Sequence, residues 1–263
     1  MDFGLENKVA LVAAASRGLG FAIAAELARE GASLVICSRK AASLDRAAQA
    51  IAERTGTAPA AIPADLSRPD DVARLVEAAT ARFGRIDVLV TNAGGPPAGP
   101  FESHDAAAWE SAFHLTLASV VELTRRVLPG MKERRWGRLI NVTSIAVKQP
   151  VDPLILSNSL RAAVTGFART LANEVAPFGI TVNNVLPGYT RTERIDELAA
   201  ARSAREGISA DAVRAEFERQ IPAGRLGEPD ELAALTAFLA SERAAYITGQ
   251  SIAVDGGWIR SLY

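Results

Sequence analysis

Short apolar runs alternate along this chain with longer segments whose apolar residues recur every three or four positions. "VALVAA" (Val9 to Ala14) reads as a buried strand, and "GFAIAAELAREGA" as the helix that follows it. "SLVICS" is the next strand, then "SLDRAAQAIAERTG" a helix stopped at Gly56, where a left-handed residue costs little. "AAIPADLS" is a strand with its exit, and "SRPDDVARLVEAATARFG" a helix with Ser67 as its expected N-cap and acids in its first turn. "IDVLVTNAG" and "GRLINVTS" are strands on either side of one long helix from Asp105 to Met131. A second long helix, "NSLRAAVTGFARTLANEVAPFG", precedes the last strands, "ITVNNVLPG" and "GQSIAVDGG". Strict alternation of this kind implies parallel strands joined by right-handed crossovers, with helices on both faces. The expected architecture is a doubly wound α/β sheet in three layers, built as a single domain over residues 1–263.

One region departs from the alternation. Residues 189–228 are polar and helical in composition, with no strand. Open α/β sheets bind ligands beyond the carboxyl ends of their strands, so an insertion there suggests a lid. The two long helices carry apolar residues around much of their circumference, including Leu115, Leu117, Val120, Val121, Phe167 and Leu171. One domain has difficulty covering that much apolar helix, which points to a homo-oligomer, a dimer or tetramer.

Charge and composition narrow the partners. The net charge is −1 over 263 residues, so no basic field advertises nucleic acid or an anionic membrane surface. The apolar run after the acidic N-terminus is too short to span a bilayer. Cys37 is the single cysteine, so no intramolecular disulfide forms; it lies in the apolar "SLVICS" and reads as a small core residue. One cysteine and two histidines also argue against a structural zinc site. A cytoplasmic, reducing location is expected.

The candidate chemistry starts in "AAASRGLG", Ala13 to Gly20, which joins the first strand to the first helix. Glycines at such a turn let the backbone approach a pyrophosphate seated on the N–H groups of the helix start. The later motifs are "TNAG" (Thr91 to Gly94), "VLPGYTRT" (Val185 to Thr192), "RLGEPDEL" (Arg225 to Leu232) and "YITGQSIAVDGG" (Tyr246 to Gly257). With the glycine turn they make five ordered motifs, and over its whole length the chain resembles the short-chain dehydrogenase/reductase family, its 3-oxoacyl-carrier-protein reductase branch in particular. The resemblance implies a seven-stranded Rossmann-like sheet and a nicotinamide cofactor. One departure is immediate: Ala14 stands where the usual turn has its first glycine.

What the resemblance implies for the cofactor rests on Ser16, Arg17, Gly18, Leu19 and Gly20 at the phosphates. Asp65 and Leu66 fall at the adenine, and Asn92, Ala93 and Gly94 beside the cofactor, with Asn92 tying the central strands. Pro187, Gly188 and Thr190 follow the sixth strand near the nicotinamide. Members that prefer NAD usually end the second strand with an acid; this chain has Ser38 and Arg39 there, and Arg17 in the turn. Two guanidiniums near the ribose suit a 2′-phosphate, so NADPH is expected over NADH.

The catalytic positions depart further. The family serine matches Ser144 in "NVTSIA". The family tyrosine commonly falls thirteen residues later, at Ser157, and its lysine four beyond, at Arg161. The family asparagine on the preceding long helix matches Thr116. Ser157 and Arg161 lie one helical turn apart on one face. Such a pair suits binding a ribose or a polar ligand better than the usual proton transfer, since Arg161 stays protonated and a serine hydroxyl is a poor acid. Tyr189, in "PGYTRT", is a candidate substitute acid, and Lys148 a second; for both, ordinary loop roles are the alternative. His104 and His114 read as loop and helix residues, and the stiff "GGPPAGPF" turn is placed to shape the substrate side. Two functions stay open. One is an NADP(H)-dependent oxidoreductase acting on the carbonyl or hydroxyl of a small molecule or acyl thioester. The other is a nucleotide-binding or regulatory protein that keeps the fold without the chemistry.

Overall fold

A computed structural model describes residues 2–262. Seven parallel strands form one sheet in the order β3-β2-β1-β4-β5-β6-β7. The strands are β1 (Val9–Val12), β2 (Ser33–Ser38), β3 (Ala60–Pro63), β4 (Val88–Thr91), β5 (Gly137–Val142), β6 (Ile180–Pro187) and β7 (Ser251–Val254). The order reverses between β1 and β4, which opens a crevice at their carboxyl ends. β1, β4 and β5 are buried along their whole lengths, which is why they read as largely apolar runs rather than as alternation. Helices α1 (Gly18–Arg29), α2 (Ala41–Thr55) and α9 (Pro229–Ala240) belong to one covering layer. The opposite layer holds α3 (Pro69–Phe83), α5 (Ser119–Arg134) and α6 (Ile155–Val175). The expected single three-layer α/β/α unit is what forms. Among the described residues, no helix is long and apolar enough to cross a membrane.

Three local readings change. Ser67 does not cap α3: its hydroxyl and its N–H both donate to Asp65 Oδ1, at 2.7 and 3.0 Å, and Arg68 takes the N-cap place. The nearer carboxylate wins the hydroxyl, and Pro69 at the start of the helix leaves one fewer N–H to cap. The long helix from Asp105 is three pieces: α4 (Ala106–Phe113), a π-helical stretch at His114–Ala118, and α5. Asp105 is its N-cap, accepting from the Ala108 N–H at 2.8 Å. Finally, the apolar circumference is partly used at home. Val120 and Leu171 are buried within the chain; Leu115, Leu117 and Phe167 are half-buried. Phe113 (43% exposed) and Val121 (38%) remain on the surface.

Residues 189–228 hold two helices, α7 (Glu193–Glu206) and α8 (Ala210–Gln220). They share a small core of their own, in which Ile195, Val213 and Phe217 meet Leu186 and Trp258. Arg202 of α7 pairs with Glu216 of α8, and Arg214 of α8 with Asp196 of α7. The two helices are therefore stapled to one another.

A buried polar ladder crosses the sheet. The Thr91 hydroxyl donates to Asn141 Oδ1 (2.7 Å), Asn141 Nδ2 to Asn184 Oδ1 (3.0 Å), and Asn184 Nδ2 to Ser251 Oγ (3.0 Å). These four residues are register partners on β4, β5, β6 and β7. Buried side-chain amides persist because each finds a partner.

Candidate active site

A cleft of about 950 Å³ opens where the strand order reverses. Its wall begins with the turn from β1 to α1. Ala14 takes φ +50°, so an alanine holds the left-handed conformation usually left to glycine. Gly18 also has positive φ (+57°), and a Cβ on Gly20 would collide with the Ala14 carbonyl. Gly20 is thus a packing glycine, fully inside the fold; Ser16, Arg17, Gly18 and Leu19 line the cleft. No side chain caps α1, so the N–H groups of its first turn stay available to an anion. Farther along, Ser38, Arg39, Asp65 and Leu66 form the wall, and Asn92, Ala93 and Gly94 complete it. Ser38 Oγ is buried with no partner, and Arg39 is exposed and makes no ion pair among the described residues. Arg17 faces Glu197 of α7 at 3.4 Å. An orphan hydroxyl, a free guanidinium and an uncapped helix start fit the ribose and phosphates of a dinucleotide.

The cleft continues into an inner pocket of about 160 Å³. Ser144, Ser157 and Arg161 line it, with Pro187, Gly188 and Thr190 opposite. Ser144 follows β5 and accepts from the Ala146 N–H at 3.1 Å, which leaves its own O–H free to donate. Arg161 is nearly fully buried on α6. Its Nη1 donates to the carbonyls of Val142 (3.0 Å) and Thr143 (2.9 Å), and its Nε to Ser157 Oγ (3.2 Å). Burial pushes the guanidinium down to about 10, and the Arg194 charge acts in the same direction. It remains a cation at neutral pH. Behind it lies a void of about 10 Å³, near the size of one water, lined by Thr116, Thr143 and Asn141. Thr116 sits in the π-helical stretch, and the hydroxyls of Thr116 and Thr143 are buried without partners among the described residues.

The family model described as enoyl-(acyl carrier protein) reductase matches residues 13–259. The 3-oxoacyl-[acyl-carrier-protein] reductase of Vibrio cholerae is 37% identical over 253 residues, covering 96% of this chain and 98% of its own. The chain belongs to the short-chain dehydrogenase/reductase family. Among solved structures, L-sorbose reductase from Gluconobacter frateurii, complexed with NADPH and L-sorbose, is 33% identical. It superposes with a TM-score of 0.94 and covers 100% of both chains. A variant of the actinorhodin polyketide ketoreductase with NADPH reaches a TM-score of 0.93 at 32% identity, covering 97% of this chain and 98% of that one.

Most of the residues that the family resemblance singled out converge on one continuous cleft. Asn92 lines it, but the strand-tying role falls elsewhere, to the ladder of Thr91, Asn141, Asn184 and Ser251. Tyr189 lines the inner pocket with its ring stacked on Phe217 (4.6 Å between centroids) and edge-on to Trp258. Burial raises its pKa, which disfavours the anion a proton donor must leave behind. Lys148 is exposed and lines neither space. His104 lines neither as well, and His114 lies on the helix surface 3.9 Å from Glu110. Cys37 is fully buried and its thiol is pushed up to about 12, as a core residue should be. Among the pocket residues that escaped the motif reading are Thr143 and Arg194. Arg194, on α7, donates to the Pro96 carbonyl at 3.0 Å and so bridges the helical insertion to the "GGPPAGPF" turn. Among the described residues, no group of three or more His, Cys, Asp or Glu could hold a metal ion.

Proposed function

We propose that this chain is an NADP(H)-dependent oxidoreductase that acts on a carbonyl or hydroxyl group through a departed catalytic set, Ser144, Ser157, Arg161 and Thr116. The observation that carries the cofactor half is the end of β2. Ser38 and Arg39 stand there in place of an acid, one with an orphan hydroxyl and the other with an unpaired guanidinium. When bound, the cofactor supplies the hydride. The Ser144 O–H donates to the substrate oxygen, and the Arg161 charge stabilises the oxyanion that develops there. Neither is an acid of useful strength at neutral pH, so the proton is the slow element. Family membership and the NADPH complexes of the sorbose reductase and the polyketide ketoreductase support the reading. Phe113 and Val121, exposed on one helical face, support a homo-oligomer.

Cofactor fluorescence checks this directly. NADPH binds more tightly than NADH, and Arg39→Ala narrows the difference by about 1–2 kcal/mol as a charge-assisted bond is lost. Equal constants, or tighter NADH, overturn the assignment. A second reading, a nucleotide-binding protein without hydride transfer, is favoured by one observation: the inner pocket holds no tyrosine except Tyr189, committed to ring packing. Tight NADPH binding with no oxidation of it across ketones and 3-oxoacyl thioesters assigns that reading instead.

A further inference from the structure

Four groups in a row join the two rims of the outer cleft. On one rim the Arg17 guanidinium, in the turn from β1 to α1, lies 3.4 Å from Glu197 Oε1 of α7. The other oxygen of that carboxylate lies 3.4 Å from Arg194 Nη1, and Arg194 Nη2 donates to the Pro96 carbonyl (3.0 Å) on the opposite rim, after β4. The Arg194 end is closely seated: a Cβ on Gly95 would come within 2.8 Å of the guanidinium. The Arg17 end is loose. Its side chain is 63% exposed, and Glu197 is its one ion-pair partner among the described residues. Arg17 also lines the cleft, whereas Glu197 lines neither the cleft nor the inner pocket. The Ala15 N–H donates to the Cys37 carbonyl (3.0 Å), which ties the turn carrying Arg17 to the end of β2 that carries Ser38 and Arg39.

We infer that Glu197 is a positioning residue for cofactor selection: its carboxylate stands in for the 2′-phosphate on Arg17 while the cleft is empty, and the phosphate of NADPH displaces it. The inference rests on the reading that NADP(H) occupies the cleft with its 2′-phosphate near Arg17 and Arg39. Relative strengths favour the exchange. An exposed ion pair is held weakly, and a carboxylate shared by two guanidiniums keeps Arg194 when Arg17 leaves. A phosphomonoester brings close to two negative charges and three strong acceptor oxygens, against the single charge of the acid. The neutral ribose hydroxyl of NADH has no such hold, so with NADH Arg17 stays on Glu197. Glu197 therefore acts against NADPH alone: it lowers the NADPH affinity and narrows the gap between the two cofactors.

The test is a double-mutant cycle at Arg17 and Glu197, read as dissociation constants of the full chain for NADPH and NADH by cofactor fluorescence. Adenosine 2′,5′-bisphosphate and adenosine 5′-monophosphate serve as competing probes that differ only in the 2′-phosphate. Both positions are exposed, so the variants fold as the parent does. Arg17→Gln weakens NADPH about tenfold and leaves NADH nearly unchanged. Glu197→Gln tightens NADPH and the bisphosphate about two- to fivefold, and leaves NADH and the monophosphate unchanged. In the Arg17→Gln background Glu197→Gln moves none of the four constants, because the two residues act through one contact. An equal gain for NADPH and NADH, or an NADPH gain that persists without Arg17, shows only a general effect of the removed charge and overturns the inference. Failure of the parent to bind NADPH or the bisphosphate removes the cofactor reading, and this inference with it. Tight NADPH binding with a silent Glu197→Gln removes only the inference.

Discussion

Two arginines are buried at opposite ends of the same central strand, and their surroundings could hardly differ more. Arg138, in β5 itself, donates to the carbonyls of Ser241, Gly137 and Gly179, lies over the Trp136 ring (4.4 Å), and is depressed by burial but supported by the Glu242 charge. Arg161, packed onto the carboxyl end of β5 from α6, also donates to carbonyls, yet the neighbouring charge it feels is another arginine. The first is enclosed by partners. The second keeps donors open toward a pocket. A buried cation surrounded by acceptors holds structure together; one left with open donors beside an inner pocket can meet a ligand.

Three experiments break or sharpen this contrast. The largest effect falls on chemistry. Replacing Ser157 by Tyr together with Arg161→Lys restores a positioned acid and raises kcat/KM toward simple ketones or 3-oxoacyl thioesters by about 10²-fold or more, whereas Arg138→Lys leaves it unaltered. A parent that already turns over quickly, with Tyr189→Phe harmless, shows that a different donor has been recruited. The middle effect falls on stability. Arg138→Met strands three carbonyls and costs about 2–3 kcal/mol in urea unfolding. Arg161→Met costs less, about 1 kcal/mol, because the loss of two carbonyl bonds is offset by removal of a desolvated charge. Equal losses erase the distinction between the two ends.

The smallest effect is in the pH dependence. Burial brings the Arg161 guanidinium down to about 10, well below the ordinary arginine value. Between those values the unfolded chain binds the proton and the folded chain does not, so folding stability rises with pH in that window. Below about 10 the cost of the buried charge is present in full. The stability of the parent relative to Arg161→Met therefore improves as the pH passes 10; a flat difference from pH 8 to 11 counts against a depressed Arg161.

Much of this molecule was legible from its residues, for physical reasons that also mark where legibility stopped. Buried parallel strands are apolar over most of their length, so "VALV" and "SLVICS" announce themselves. Gly56 ends α2 at φ +76° because a left-handed residue is needed there, and a lone glycine after an alanine-rich helix says so. The phosphate turn was readable from Gly18 and Gly20, whose roles are steric. Competition between near neighbours was not. Ser67 has the composition of a cap, and only the position of Asp65 decides otherwise. The π-helical stretch at His114–Ala118 has the same apolar spacing as an ordinary helix over so short a span. Arg194 sits in a charged run, "RTERIDE", that reads as a solvated face; its reach to Pro96 depends on two segments far apart in the chain. The pairing of Ser157 with Arg161 was visible from their spacing, but the two carbonyls that fix the guanidinium lie on another element.

The ladder beneath the site has a sense of direction. Each donor in it points the same way, from β4 toward β7, so every side chain hands its hydrogen to the next strand. Asn141 and Asn184 cannot reverse singly: flipping Asn141 alone sets its oxygen against that of Asn184, and flipping Asn184 alone sets its NH2 against that of Asn141, while the hydroxyls at the two ends can adapt. The row therefore behaves as one object with two orientations, and the choice is made at its ends. At one end Ser251 retains a hydrogen to give toward the sheet margin. At the other, Thr91 offers only a lone pair, and it faces the water-sized void it shares with Thr116 and Arg161. A group in that void that meets Thr91 must donate to it, and four residues on four strands set that requirement together.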